Sequence, residues 1–119
     1  MSRRPVAASV LLLVAILMSA APAHAIPADD AAFINMLSER DIQVEDIVAD
    51  VGQAELDCLT LTIPGNDLRT MMIGYVSRGR TLEVASIYTL AAIGAYCPEF
   101  WPSREDFIAT VGSISGPGG

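Results

Sequence analysis

The stretch TLEVASIYTLAAIGAYCP, residues 81–98, decides the fold of this chain of 119 residues. Its apolar residues recur every three or four positions, which is the period of an α-helix. They form two adjoining stripes, and a helix that is apolar on two stripes contacts several neighbours at once. Thr81 is suited to cap the start of this helix, and Pro98 ends it because proline cannot continue a helix. We therefore predict a central helix on which the other segments pack.

Four further segments have helical periodicity, and together with the central helix they predict an all-α fold, a small four- to five-helix bundle with one disulfide. Asp29 is the expected N-cap of the first segment, and Asn66 or Asp67 that of the third. Gly79 is expected to stop the third segment in a left-handed conformation, and Ser103 to cap the last. The tail, 112–119, has too little apolar surface to bury and is predicted to be disordered. The four segments are 30–39, 44–59, 68–78 and a brief helix at 104–111.

The N-terminus has the pattern of a secretory signal peptide. Arg3 and Arg4 precede an apolar run at 6–21, and an Ala-His-Ala tripeptide ends at Ala25. This order predicts cleavage after Ala25, with 26–111 as a single helical domain that is secreted or held in the cell envelope. The alternative is an uncleaved membrane anchor. The run is shorter than the roughly 18–20 residues that cross a bilayer, and Pro22 interrupts it, so we predict no membrane span after cleavage.

The composition that remains after cleavage excludes several classes of function. All 14 acidic residues remain after cleavage, but Arg3 and Arg4 are removed with the signal peptide. Five of the seven basic residues remain, so the net charge becomes about −9. Nucleic acid and anionic membranes repel such a surface and are not expected as partners. The mature chain has no lysine, and its only histidine, His24, lies in the signal peptide. Because the usual general bases, nucleophiles and zinc ligands are absent, we predict a non-enzyme without catalytic, cofactor or metal residues.

Carboxylates are the one remaining means of catalysis, and they define the alternative function. Asp46 and Asp50 are one helical turn apart, with Glu45 and Asp57 on the same polar face of the second helix. Two converging carboxylates could bind a cation or act as acid and base. The alternative is therefore a small carboxylate-based hydrolase or metal-dependent enzyme. A solvated acidic face is the simpler interpretation, because such faces are normal on amphipathic helices.

The two cysteines, Cys58 and Cys97, are predicted to form a disulfide. An exported protein meets an oxidising environment, where an even number of cysteines usually means disulfides. Short connections make the second and fourth helices parallel, so the two thiols reach the same end of the bundle. A pair of free thiols and an intermolecular bridge are the alternatives.

Two apolar clusters are candidates for binding. Met71 and Met72 follow a helical stripe, which favours core filling over an adaptable apolar groove. Phe100, Trp101 and Phe107 lie within eight positions, and we expect the fifth helix to fold back over them rather than to leave an exposed recognition patch. The predicted function is that of a non-enzymatic binding module, whose partner is an unidentified protein or an apolar small molecule.

A loose motif runs through the cysteine-bearing segments. It consists of Asp30, Phe33 and Leu37, then Ile42, then Cys58 and Leu59, and finally Ala95-Tyr96-Cys97-Pro98. In these residues the chain resembles the domain-of-unknown-function family 732, which comprises small exported domains found mainly in mycobacteria. The resemblance covers about 29–100 and implies export, an all-helical fold and a disulfide, but no activity. Asp41 stands where such domains commonly carry a glycine, so we expect another backbone shape there.

Overall fold

The computed structural model describes residues 26–116, and this part of the chain contains helices and no strand. The predicted all-α bundle is confirmed. The predicted signal peptide, its cleavage site and residues 117–119 lie outside the described residues. The α-helices are α1 Ala28–Ser38, α2 Ile47–Thr60, α3 Leu68–Ser77, α4 Leu82–Tyr96 and α5 Arg104–Ser115, with a 3₁₀ helix at Pro98–Phe100.

The central position of α4 is also confirmed, because α1, α2, α3 and α5 all pack against it. Thr81 caps α4 by accepting a hydrogen bond from the Val84 amide at 3.2 Å. Small side chains on several sides of the helix let its neighbours approach closely. The buried residues of α4 are Ala85, Ser86, Tyr88, Thr89, Ala91, Ala92, Ile93 and Ala95.

The N-termini of α1 and α2 differ from those that we predicted. The capping position of α1 is Pro27, so Asp29 lies in the first turn instead of capping it. There its negative charge interacts favourably with the helix dipole, without a capping hydrogen bond. Asp46 caps α2 and accepts from the Ala49 amide at 3.0 Å. Because the cap fixes the start of the helix, Val44 lies in the preceding connector, although the apolar pattern had included it.

The apolar face predicted for the second helix is only partly buried. Val51, Ala54 and Cys58 are buried, whereas Val48 and Leu59 are 85% and 62% exposed. Since α2 packs chiefly on α4, only a narrow strip of its surface is covered. The remaining apolar residues therefore face away from the core.

Two helices end at residues with positive φ. Gly79 has a φ of 95°, as expected for a left-handed stop, and Asp41 has a φ of 61°. After α1, the Ile42 amide donates to the Leu37 carbonyl and the Asp41 amide to the Ser38 carbonyl, both at 3.0 Å. This bond pair is a Schellman stop, which requires the left-handed residue. Asp41 thus adopts the conformation for which glycine is the favoured residue.

The last helix is longer than predicted. It begins at Arg104 after the Ser103 cap but continues to Ser115, so residues 112–115 are helical rather than disordered. Ile114 extends the apolar stripe of α5 and packs against the core. The Arg69 guanidinium donates from Nε to the Ser113 hydroxyl oxygen at 3.1 Å. These contacts supply the partners that the tail alone lacks.

The predicted disulfide between Cys58 and Cys97 is confirmed. It joins the last turns of α2 to the C-cap of α4, with the two Cα atoms 5.8 Å apart. Both cysteines are buried. Across the described residues, no helix combines the length and hydropathy needed to cross a membrane.

Candidate binding groove between α1, α4 and α5

A groove of about 650 Å³ lies between α1, α4 and α5, and we call it the apolar groove. α4 forms its floor, α1 and α5 form its walls, and Trp101 stands at one end. Few polar side chains interrupt the lining. The main apolar residues of the apolar groove are Met36, Ile87, Leu90, Trp101, Phe107 and Val111.

The groove exists because α4 carries more apolar surface than its neighbours cover. Its two apolar stripes are wider than the contact with any single helix, so Ile87 and Leu90 stay half-buried between α1 and α5. On α1, Phe33 and Leu37 enter the core completely, whereas Met36 lies one position to the side and remains half-buried. Met36 was not among the residues predicted to line a binding site. The two-stripe pattern of α4 was the signal that could have located a groove beside it.

Gly94 brings two groove residues together. A Cβ atom at this position would lie 3.1 Å from the Met36 methyl carbon and 3.2 Å from Cζ3 of Trp101. Those distances are shorter than ordinary van der Waals contacts. Glycine therefore lets the Met36 thioether and the Trp101 indole close directly onto the α4 backbone.

The expectation that the fifth helix covers the aromatic cluster is wrong for two of its three residues. Phe107 is half-buried in the groove wall, but Phe100 and Trp101 are 38% and 52% exposed. The reason is the position of the Ser103 cap, which starts α5 directly after the aromatic pair. The helix then runs beside α3 and α4 instead of crossing over Trp101.

The prediction for the methionine pair is confirmed. Met71 is 5% exposed and Met72 is fully buried, so both fill the core. The alternative of an adaptable groove at these two residues is wrong. The adaptable methionine of the groove is Met36, whose flexible thioether suits ligands of varied shape.

The rim of the groove is polar. Glu39, Arg40 and Glu83 stand at its edge and are exposed. The Ser86 hydroxyl already donates to the Leu82 carbonyl at 2.7 Å. An apolar floor with a sparse charged rim suits binding of an apolar body whose polar end reaches water.

The carboxylates of the alternative enzyme are either exposed or already have partners. Glu45 is exposed, and Asp46 is an exposed capping residue. Asp50 accepts a hydrogen bond from the Tyr88 hydroxyl at 3.1 Å and pairs with Arg80 at 3.5 Å. Between residues 26 and 116, no three side chains of the metal-binding types form a cluster. The structure therefore gives Asp46 a capping role and Asp50 a pairing role.

Two stacked groups, which we call the Tyr–Arg–Asp layers, fasten α2 to the turn before α4. In one layer, Arg80 lies 3.8 Å from the centre of the Tyr88 ring while it pairs with Asp50. The other layer consists of Arg78, Tyr75 and Asp57. Arg78 lies 4.6 Å from the centre of the Tyr75 ring and 3.2 Å from an Asp57 carboxylate oxygen. These arginines therefore have a structural role.

Burial is the main cause that raises the pKa of both tyrosine hydroxyls in these layers, and the neighbouring carboxylates raise it further. The Tyr75 hydroxyl is buried and has no hydrogen-bond partner among the described residues. The Tyr88 hydroxyl donates to Asp50. Both layers thus favour the neutral phenol.

Tyr96 lies beside the disulfide and links α4 to the start of α1. Its hydroxyl donates to Asp30 Oδ1 at 2.7 Å, and its ring centre is 5.8 Å from that of Phe33. Partial burial and then the Asp30 hydrogen bond raise the pKa of this phenol. The residue is half-buried.

Comparison of the chain with protein-family models, with curated proteins and with solved structures gives no match. The geometry of the apolar groove is therefore the basis for a functional proposal.

Proposed function

We propose that this protein is a non-enzymatic binding module of the cell envelope or exterior that holds an apolar small molecule in the apolar groove. The observation that carries the proposal is the groove itself, open beside an exposed Trp101. Its volume of about 650 Å³ lies within the range of roughly 300–1,000 Å³ that small-molecule sites occupy.

We further propose export and membership of the domain-of-unknown-function family 732. The support for export is the basic, apolar and small-residue order of residues 1–25. The support for the family is the Ala-Tyr-Cys-Pro motif at 95–98 and its bond to Cys58. An exported carrier needs a stable scaffold and a site for its cargo, and neither requires catalytic residues.

The chemistry of the groove selects ligands with an apolar body. Transfer of an apolar body from water into the groove is favourable by about 25 cal/mol for each Å² removed from water. Losses of translational and side-chain freedom offset part of this gain, so we expect dissociation constants on the order of micromolar. Arg40 and the rim carboxylates leave room for a polar end in water.

The chain contains one tryptophan, and it lies at the end of the groove, so its fluorescence reports directly on occupancy. Titration of the purified protein with dodecanol should shift the Trp101 emission to shorter wavelength and reach saturation, because the ligand replaces water around the indole. A response that rises linearly without saturation would contradict a defined site.

A matched pair of leucine variants locates the response. Leu90→Gln places a polar group on the groove floor, and we expect dodecanol binding at least tenfold weaker. Leu59→Gln makes the same chemical change on the outside of α2, where the side chain is 62% exposed, and should leave binding unchanged. Circular dichroism of both variants checks the fold. Equal loss in the two variants would contradict the proposed location.

A further inference from the structure

The structure leaves a second apolar surface uncovered, on the side of α2 that faces away from α4. We call it the outer face of α2. Val48 and Leu59 are 85% and 62% exposed, and Leu56 and Ile63 are 53% and 51% exposed. Along α2, positions 48, 52, 56 and 59 share one side, and Ile63 lies in the turn that follows the helix. The outer face of α2 is therefore a continuous apolar stripe, with Gly52 in its middle.

The Tyr–Arg–Asp layers hold this face outward. α2 contributes Val51, Ala54 and Cys58 to the core, and its contacts are chiefly with α4. Asp50 and Asp57 lie at the edge of that contact and are tied to arginines. Because ion pairs and a disulfide fix the rotation of α2, the stripe cannot turn inward while these contacts persist.

The stripe continues into a concavity of about 380 Å³ beside the disulfide. Leu59, Tyr96 and Phe100 contribute its apolar lining. Trp101 borders the apolar groove and Phe100 borders this concavity, and the two linings have no residue in common. The two surfaces are therefore separate sites.

All charged residues that line the concavity are acidic, namely Asp29, Glu55 and Glu99. No arginine lines it to neutralise them. The same carboxylates affect Tyr96. Burial and the Asp30 hydrogen bond raise the pKa of its phenol, and the charges of Glu55 and Asp29 raise it further. An apolar stripe that ends in uncompensated negative charge is complementary to a basic, amphipathic partner.

We propose that the outer face of α2 docks a basic amphipathic helix of a partner protein. Apolar side chains of that helix lie along Val48, Leu56 and Leu59. An arginine or lysine enters the concavity and meets Glu55 and Glu99 between the two aromatic rings, where cation–π attraction adds to the charge pairing.

The length and the charge of the surface favour this partner over others. From Val48 to Leu59 the stripe extends about 16 Å at 1.5 Å per residue, which matches roughly three turns of a docked helix. A second copy of this chain would bring the same carboxylates against each other. An anionic bilayer would be repelled for the same reason.

The probe for the test is a synthetic peptide of leucine and lysine at helical spacing, with a matched peptide in which glutamate replaces lysine. When the lysine peptide is titrated into isotope-labelled protein, it should shift the amide resonances of Val48, Leu59 and Phe100. Added salt should weaken the binding of this peptide. The glutamate peptide should bind at least tenfold more weakly. Equal binding of the two peptides, or no binding at millimolar concentration, would overturn the proposal.

Charge-neutralising variants give the second measurement. Glu55→Gln and Glu99→Gln should each lower the affinity for the lysine peptide by about two- to fivefold, which is the range for partly solvated ion pairs. Glu105→Gln removes the same charge from an exposed position on α5 and should change nothing. An equal effect of all three variants indicates non-specific attraction and overturns the site.

The result is independent of the apolar groove. Leu90→Gln should weaken dodecanol binding at least tenfold and leave peptide binding intact, whereas Leu59→Gln should weaken peptide binding and leave dodecanol binding intact. Peptide-induced shifts that map to the groove, or attachment of this face to neutral lipid vesicles in preference to the peptide, would each contradict the docking of a basic helix.

Discussion

Asp41 is the residue at which local conformation and side-chain type disagree most clearly. Its φ of 61° lies in the left-handed region, which costs residues with a Cβ atom on the order of 1 kcal/mol relative to glycine. Aspartate tolerates this region better than most residues, so the Schellman stop still forms. The stop holds the α1 end of the apolar groove, next to Arg40 in its rim.

Asp41→Gly should therefore stabilise the protein, by about 0.5–1 kcal/mol after the extra chain entropy of glycine in the unfolded state is subtracted. Urea unfolding followed by circular dichroism measures the change. Asp41→Ala is the control, since it keeps the Cβ atom and loses the polar side chain, and we expect it to destabilise. A glycine variant less stable than the natural protein would show that the carboxylate has a partner of its own.

At the scale of helices, the Tyr–Arg–Asp layers decide how α2 is held. The covered strip of α2 is narrow, with Val51, Ala54 and Cys58 as its buried residues. Apolar burial on this strip is small because alanine and cysteine are small residues. The two layers add stacking and charge at its edge, so α2 depends on polar contacts more than α4 does.

This dependence predicts alkaline unfolding. The pKa values of Tyr75, Tyr88 and Tyr96, all the tyrosines in the chain, are raised by burial first and then by nearby carboxylates. A raised pKa means that the neutral phenol stabilises the fold. That contribution is complete below about pH 10, the ordinary tyrosine value, and is lost as pH rises through the higher values of the folded state.

Tyrosinate absorbance and helical circular dichroism should therefore change together above pH 10. Tyr75→Phe removes a buried hydroxyl that has no hydrogen-bond partner among the described residues, so it should move this transition to higher pH without loss of stability at neutral pH. Three tyrosines that ionise near pH 10 while the helices persist would contradict the burial of these phenols.

At the scale of the whole molecule, the disulfide supplies a large part of the stability. Cys58 and Cys97 are 39 residues apart, and closing a loop of this length contributes roughly 4 kcal/mol through the unfolded chain. A single domain of this size has a net stability of about 5–15 kcal/mol. Reduction of the disulfide should lower the midpoint of thermal unfolding strongly. Below that midpoint, the helix content should be unchanged. Calorimetry with and without reductant tests this, and an unchanged midpoint would contradict it.

The sequence predicted the parts of this fold that depend on periodicity and connection length. The central α4, the caps at Thr81 and Ser103 and the bond between the cysteines follow from such local signals. The exposure of Val48 and Leu59 did not, because apolar spacing does not tell how wide a strip the neighbouring helices cover. The sequence also failed to predict the exposure of Trp101, which we expected the fifth helix to cover. Its exposure depends on the path of α5 relative to α3 and α4, which only the assembled helices determine.

The position of the disulfide in the chain has a consequence for how the molecule opens. The covalent ring closed by Cys58 and Cys97 contains the end of α2, α3 and the whole of α4, whereas α1 and α5 lie outside it as branches on either side. These branches are the two walls of the apolar groove, and no covalent crosslink holds them: α1 is held by packing and the Tyr96–Asp30 hydrogen bond, and α5 by packing and the Arg69–Ser113 hydrogen bond. Either wall can therefore separate from α4 at a free energy below that of global unfolding. For the proposed ligand, movement of a branch would open the apolar groove while the ring keeps its floor intact.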